Sequence, residues 1–555
     1  MFALIPMLRF STVALLAFAV VPDQASAAPA QRADEQAALH IIGRWQDSWD
    51  FPLALFWPTA HNFKAVHMAL IPMDVPMPGG TNLRGKILAW GDHRSFGNEW
   101  RSAWMVLDPE TQALLAGGIV RTIHERSLTG VNEGSIFCSG HSWTPEGKLL
   151  VAGGMYLPGL KNGNRLVYIF DPSLIAQGLD PWVRQPDLAT GRWYPTVLNM
   201  ADGETMLILG GKNRRSEVQD SYTEYNWKSN TFASLVAEGP PGDISTCQGM
   251  YFYPRTHLLP NGDIFFSCFM QNSASVNPAT RAHRRSEADW DDSYEVDDVQ
   301  VRVYGESLML PLHPGDTLDD VRIQVMNGEI YDECGMGVSL GPTGMVEEMS
   351  FHNGDSNYKK WSDSAAVDMT EKRWFPNMVI LPDQTVTVYG GEADNVVDPR
   401  KTPEMRENGV WRHLAKMDSA RGYHSTAMLL PDGRVITGGG DHRLSDFQVF
   451  EPPYLFRGAR PIIVSLSAHN LEYGQTYTLN HTGDVESVVL MRPGSRTHHF
   501  DSDQRMVILH EGLSTSGTVS FTMPTVKELT PQGYYMMFAV SPEGVPSFAQ
   551  WVHVH

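Results

Sequence analysis

The feature that most constrains this chain is a strand-then-glycine signature that returns seven times. Apolar, β-branched runs end on glycine at residues 86–91, 148–154, 205–211, 385–391 and 434–440, and weaker copies without paired glycines stand at 263–268 and 322–328. With markers at 91, 153, 210, 268, 327, 390 and 439, the period is roughly fifty to sixty residues, near the kelch range for a four-stranded blade. Seven copies predict an all-β chain whose residues 41–454 form a seven-bladed kelch-type β-propeller. The 49 Gly and 36 Pro are spread along the sequence, as expected where many short strands are punctuated by turns. In the last copy, Asp432-Gly433 is expected to be a two-residue hairpin turn.

After Pro453-Tyr454 the pattern changes. Strand-like runs at 488–490, 506–508 and 534–540 are more closely spaced and lack the glycine ending, so residues 455–555 are expected to form an immunoglobulin-like β-sandwich. At the other end, Arg9 precedes an apolar run over 10–21, and Ala25-Ser26-Ala27 has the small-residue cleavage pattern. Residues 1–27 therefore read as a signal peptide cleaved after Ala27, which predicts a secreted, periplasmic or cell-surface protein. No other apolar run is long enough to span a bilayer. The 63 acidic and 43 basic residues leave a net charge of -20, which repels nucleic acid and anionic membranes and favours a small-molecule substrate. The charged stretch 283–298, which contains Trp290, and the Pro/Gly-rich stretch 73–84 read as loops between blades, with a lid over a site as the alternative for the former.

If the glycine marker fixes the phase of each blade, residues at equal distances before it occupy equivalent places. Cys138 and His424 lie fifteen residues before their markers, and Tyr194 and Tyr423 sixteen. A thiol, an imidazole and two phenols thus fall at one level of three blades, where inner strands converge on the axis. A site of two imidazoles and phenolates suits Cu(II), whereas the Cys-x-x-Cys spacing typical of zinc is absent.

Phe137-Cys138-Ser139-Gly140, Arg192-Trp193-Tyr194-Pro195-Thr196, Gly422-Tyr423-His424-Ser425, and Thr497-His498 ahead of Asp503-Gln504-Arg505 resemble the motifs of the copper radical oxidases, the galactose oxidase and glyoxal oxidase family. The Arg-Trp-Tyr-Pro form is closer to the glyoxal oxidase branch. The resemblance implies a thioether between Cys138 and Tyr194 that carries a phenoxyl radical, and copper held by Tyr194, His424 and His498 with Tyr423 axial. It selects His498 over His499, which is left a supporting or exposed role. The implied reaction oxidises aldehydes, as hydrates, or primary alcohols and reduces dioxygen to hydrogen peroxide, with Tyr423 as base and Tyr194 as hydrogen-atom acceptor. The Trp that galactose oxidase carries after the Gly-Gly of the Tyr-bearing blade is replaced here by Lys212, which puts a galactose-type pocket in doubt and leaves Trp193 or Trp290 to shield the radical. With Cys138 consumed, Cys247 and Cys268 flank a turn at 260–262 across which they can pair, leaving Cys334 as a thiol. The alternative function is a non-catalytic kelch binding or scaffold protein; a propeller glycosidase or lyase would need paired acids at the axis, and none of the positions found is acidic.

Overall fold

The computed structural model describes residues 38–555 apart from 51–62, 95–99, 121–133, 158–159, 220, 234–236, 239–251, 268–272, 281–282, 286–300, 332–338, 357, 360, 363–366, 394–398, 442–444 and 516. Residues 1–27, Cys247, Cys268, Cys334 and Trp290 lie outside the described residues. Among those described, the protein is all-β, with a few single-turn helices.

Each of the seven signature runs is a strand: Ile87–Arg94, Leu149–Ala152, Thr205–Leu209, Ile264–Ser267, Arg322–Met326, Val386–Tyr389 and Val435–Gly439. Each pairs antiparallel with the strand before it: His67–Leu70, Gly140–Trp143, Thr196–Asn199, Arg255–Leu258, Glu306–Met309, Asn377–Ile380 or Ser425–Leu429. These seven first strands are buried throughout. Gly140–Trp143, Thr196–Asn199, Arg255–Leu258 and Glu306–Met309 lie side by side in that order. Asn377–Ile380 lies beside Ser425–Leu429, which in turn lies against the first, His67–Leu70. Side-chain contacts link the remaining neighbours: Glu306 accepts the Met378 N–H, and His67 meets His141. The sheet that ends in Phe447–Glu451 takes its outermost strand, Arg44–Trp45, from the N-terminal side of the chain.

The glycine endings mark close approach between sheets. A Cβ on Gly153 would lie 2.3 Å from the Arg192 carbonyl oxygen of the next sheet, and one on Gly390 2.1 Å from that of Arg421. Both glycines have positive φ, a second reason for the residue type. Three buried arginines complete the joint, since Arg192, Arg373 and Arg421 donate to the carbonyls of Gly210, Gly390 and Gly439.

The hairpin at Asp432-Gly433 differs from expectation. Leu430 N–H donates to Arg434 O and Gly433 N–H to Leu430 O, with Gly433 at φ 81°. The loop is therefore three residues, a Pro-Asp turn followed by a left-handed glycine, because Pro431 presets the first turn position.

The C-terminal part contains a three-stranded sheet, Ile462–Leu466, Thr476–Thr482 and Thr518–Thr522, and a five-stranded one that includes Val485–Met491, Met506–Ser514 and Gly533–Val540. A core including Leu479, Val488, Val519 and Met537 lies between them. From this part a hairpin, Ser495–Thr497 and Phe500–Asp501, leaves its parent sheets and pairs with His67–Leu70.

Candidate metal centre

The strand registers make seven positions equivalent, each two residues before the one that pairs with the residue preceding a marker. They are Ala65, Cys138, Tyr194, Tyr253, Tyr304, Phe375 and His424. All except Ala65 adopt left-handed backbone conformations, with φ between 45° and 66°. Such a conformation costs about 1–2 kcal/mol for a residue with a side chain, and here it swings each side chain off the strand end toward a shared centre. Just past the pairing of Thr497 with His67, the C-terminal hairpin brings in His498 (φ 44°).

The counting used on the sequence needs adjusting. Tyr194 is equivalent to His424, not to Tyr423, because the connection between its two strands, 200–205, is one residue longer than that at 430–434. Phe375 stands fifteen residues before Gly390 and Tyr253 fifteen before Cys268, so the same subtraction finds both. Tyr304 escapes it because a long connection separates Glu306–Met309 from Arg322–Met326.

At the centre, ligand atoms of Cys138, His424 and His498 lie within 4.8 Å of one another. The Tyr194 and Tyr423 hydroxyls hydrogen-bond to each other. The Tyr194 ring centroid is 4.8 Å from that of His498, and Tyr423 is 3.8 Å from His424. All five residues singled out in the sequence are thus brought together, and Cys138 Sγ is 3.5 Å from His498 Nε2.

The surroundings fix the imidazole tautomers. His424 Nδ1 is 2.7 Å from Asp441 Oδ1, and Lys64 also reaches that carboxylate. Burial pushes Asp441 up, but the bond from His424 and the charge of Lys64 hold it well below the usual carboxylate range. His424 therefore carries its proton on Nδ1, leaving a buried Nε2 lone pair with no partner. The Thr497 hydroxyl donates to Val66 O and so accepts from His498 Nδ1, 2.7 Å away. Both imidazoles thus direct Nε2 lone pairs into the site, with the other nitrogen anchored as metal-binding histidines require. Burial first, then nearby Cys138, pushes both phenols well above their ordinary pKa. This donor set, two nitrogens and two phenol oxygens, fits Cu(II).

The indole of Trp193 stacks on Tyr194 with centroids 3.7 Å apart and planes inclined 22°. Rings continue around the centre through Phe252, Tyr304 and Phe375 to Tyr423, at 4.9, 4.8 and 4.6 Å between successive centroids. His499 is buried, 5.2 Å from Phe375 and 6.0 Å from Tyr423, and neither of its nitrogens has a partner. Two supporting residues went unnoticed in the sequence, Asp441 and Glu392, the latter accepting the Tyr423 N–H at 3.0 Å, and Thr497 was quoted beside His498 without a role.

Comparison with known proteins agrees with this geometry. Residues 120–454 match the family described as glyoxal oxidase N-terminus, and residues 460–554 the galactose oxidase-like, early set domain. A galactose oxidase of Gibberella zeae is 26% identical over 541 residues, covering 92% of this chain and 71% of the relative. An aldehyde oxidase, GLOX, of Vitis pseudoreticulata is 28% identical over 469 residues, covering 75% and 82%. A fungal alcohol oxidase of the AA5 family, solved in complex with copper, superposes with a TM-score of 0.69 at 20% identity, covering 92% of this chain and 99% of that one.

Proposed function

This chain belongs to the glyoxal oxidase family, and from that premise we propose that it is an exported copper radical oxidase. It oxidises aldehydes, as their hydrates, or primary alcohols, and dioxygen leaves as hydrogen peroxide. The observation that carries this reading is the meeting of Cys138, His424 and His498 within 4.8 Å beside the hydrogen-bonded phenols of Tyr194 and Tyr423. A non-catalytic scaffold would have no use for six side chains held in costly left-handed conformations around one point.

Copper held by Tyr194, Tyr423, His424 and His498 would supply a one-electron acceptor and a Lewis acid. With that charge beside it to stabilise its phenolate, Tyr423 would take the substrate's hydroxyl proton at Oη. Tyr194, if cross-linked to Cys138 Sγ, would be the one-electron partner that accepts the hydrogen atom of the substrate carbon at its own Oη. A primary alcohol and dioxygen thereby give an aldehyde and peroxide; an aldehyde hydrate gives the acid and peroxide. Trp193 covers the Tyr194 ring, and Phe252, Tyr304 and Phe375 form an apolar wall suited to small substrates.

In this reading residues 41–454 are a propeller whose blades are the seven sheets that hold the signature strands, supported by their side-by-side first strands and by the Arg44–Trp45 strand that completes the last of them. Residues 455–555 are an immunoglobulin-like sandwich that supplies His498, and residues 1–27 an export signal. No helix among the described residues is long and apolar enough to cross a membrane. The test is a peroxide-coupled screen of the copper-loaded protein with glyoxal, methylglyoxal, glycolaldehyde, primary alcohols and galactose. Peroxide from at least one, with disappearance of the Cys138 thiol by mass spectrometry, is expected; an intact thiol after aerobic copper loading would sink the proposal.

A further inference from the structure

Two buried histidines outside the ligand set connect the C-terminal hairpin to the backbone of Cys138. The Cys138 N–H lies 3.2 Å from His67 Nε2, His67 Nδ1 lies 3.1 Å from His141 Nε2, and His141 Nδ1 lies 2.5 Å from Ser495 Oγ. His67 is also stacked on Trp90, with centroids 4.8 Å apart and planes inclined only 5°. A backbone N–H can only donate, so His67 Nε2 holds a lone pair and its proton sits on Nδ1. That proton goes to His141 Nε2, which places the His141 proton on Nδ1, facing the Ser495 hydroxyl. The order is the same at every link, and both rings are neutral; reversing one link would set two donors face to face.

We propose that His67 is a positioning residue for the thioether. Its bond to the Cys138 N–H holds that residue in its left-handed conformation (φ 63°), with Sγ in the site where Tyr194 and His498 meet. Through His141, this hold depends on Ser495 being seated. The hairpin that brings His498 thereby also readies the thiol, and cross-linking follows docking of the C-terminal part. The inference rests on the oxidase reading above. In the step concerned, the Cys138 S–H bond and one ring C–H bond of Tyr194 break and a C–S bond forms. Two protons and two electrons pass to dioxygen, which becomes hydrogen peroxide.

The chain explains why the far end matters. Without the Ser495 hydroxyl, His141 Nδ1–H loses its acceptor in a buried site. If His141 instead moves its proton to Nε2, His67 must move its own to Nε2, where it opposes the Cys138 N–H. Leaving a buried donor unmatched is costly enough to slow the step by about tenfold or more.

The experiment follows apoprotein after aerobic addition of Cu(II), measuring bound copper, alkylation of the Cys138 thiol, and intact mass, which records the loss of two hydrogen atoms. The proteins are wild type, His67→Leu, His67→Gln and Ser495→Ala. The expected result is rapid cross-linking in wild type and cross-linking about tenfold or more slower in His67→Leu and Ser495→Ala at equal copper content. His67→Gln should recover most of the rate, because its amide oxygen can accept from Cys138 and its amide N–H can donate to His141. A merely structural histidine would not be rescued in this way. Wild-type rates in Ser495→Ala or His67→Leu, or no rescue by glutamine, would overturn the proposal. A wild-type protein that keeps its thiol would instead remove the oxidase reading and this inference with it. Should His67→Leu not fold, Ser495→Ala carries the test, since the Ser495 N–H still donates to Asp501.

Discussion

The two ends of the C-terminal hairpin use polar residues in opposite ways. At its base, charges are paired: Arg496 bonds Glu306 at 2.5 Å and also Met378 O, and Arg492 bonds Asp503 at 2.9 Å, although the Nε of each arginine has no partner. The Asp503-Gln504-Arg505 run reaches three separate first strands, through Ser142 and Trp143, through Ile380, and through Leu258. At the tip, His498 directs a lone pair into the centre, opposite a His424 nitrogen that has no partner, and both nitrogens of His499 lack one. Buried polar atoms are rarely left unmatched. The ion pairs therefore anchor the base, while at the tip the unmatched atoms are imidazole nitrogens, which a ligand would complete.

Substitutions should separate the two ends. The largest loss of stability is expected for Arg496→Met, about 3–5 kcal/mol in urea unfolding, because Glu306 is left buried without its partner. This cost depends on pH. Burial already pushes Glu306 up to about 7, with Arg496 pulling it down. Without the arginine the carboxyl rises further, so the folded variant binds a proton that the unfolded chain, with its ordinary value of 4.5, has released. Stability of the variant should therefore fall as pH rises above the unfolded value and be greater at about pH 6 than at about pH 8. At the tip, His498→Gln should move the urea midpoint little yet lower copper affinity and peroxide formation by about a hundredfold or more, beyond what losing a supporting residue costs. Asp441→Asn, which keeps the shape but weakens the anchor of His424, should cost about 10–100-fold in copper affinity by competition with a chelator. If Arg496→Met abolished copper binding without lowering stability, the division between base and tip would fail.

What could be read from the sequence follows from how local each signal is. The glycine markers record a joint between neighbouring sheets that every repeat must form, so they recur at a regular spacing and reveal the strands. The site residues were legible because they sit at a fixed distance from those joints, and the count failed only where a turn changed length, by one residue at Tyr194 and by many at Tyr304. Left-handed conformations at Cys138, Tyr194 and His424 were not legible, since none of these residue types advertises them as glycine does. The partners that set tautomers were also hidden. Asp441 lies seventeen residues from His424, and the His67–His141–Ser495 chain joins segments far apart in sequence. The Asp-Gln-Arg motif served only to fix the register of His498, whereas in the fold each of its residues holds a different strand. His499, read as supporting or exposed, is buried beside Tyr423.

The smallest effect is expected at Trp193, where centre and shell meet. Its ring lies against Tyr194 although it comes from the preceding residue, and its backbone pairs in both directions with Lys212, the residue after the paired glycines. The stack can therefore be removed without disturbing that pairing. Such a contact contributes about 0.5–1.5 kcal/mol, so Trp193→Leu should fold, bind copper and form the cross-link. With the face of Tyr194 opened to solvent, the oxidised cofactor should decay several-fold faster and its visible absorption should shift. An unchanged lifetime and spectrum in Trp193→Leu would mean that the stack is packing alone, and that the tip owes its properties to the ligand atoms and not to the ring that covers them.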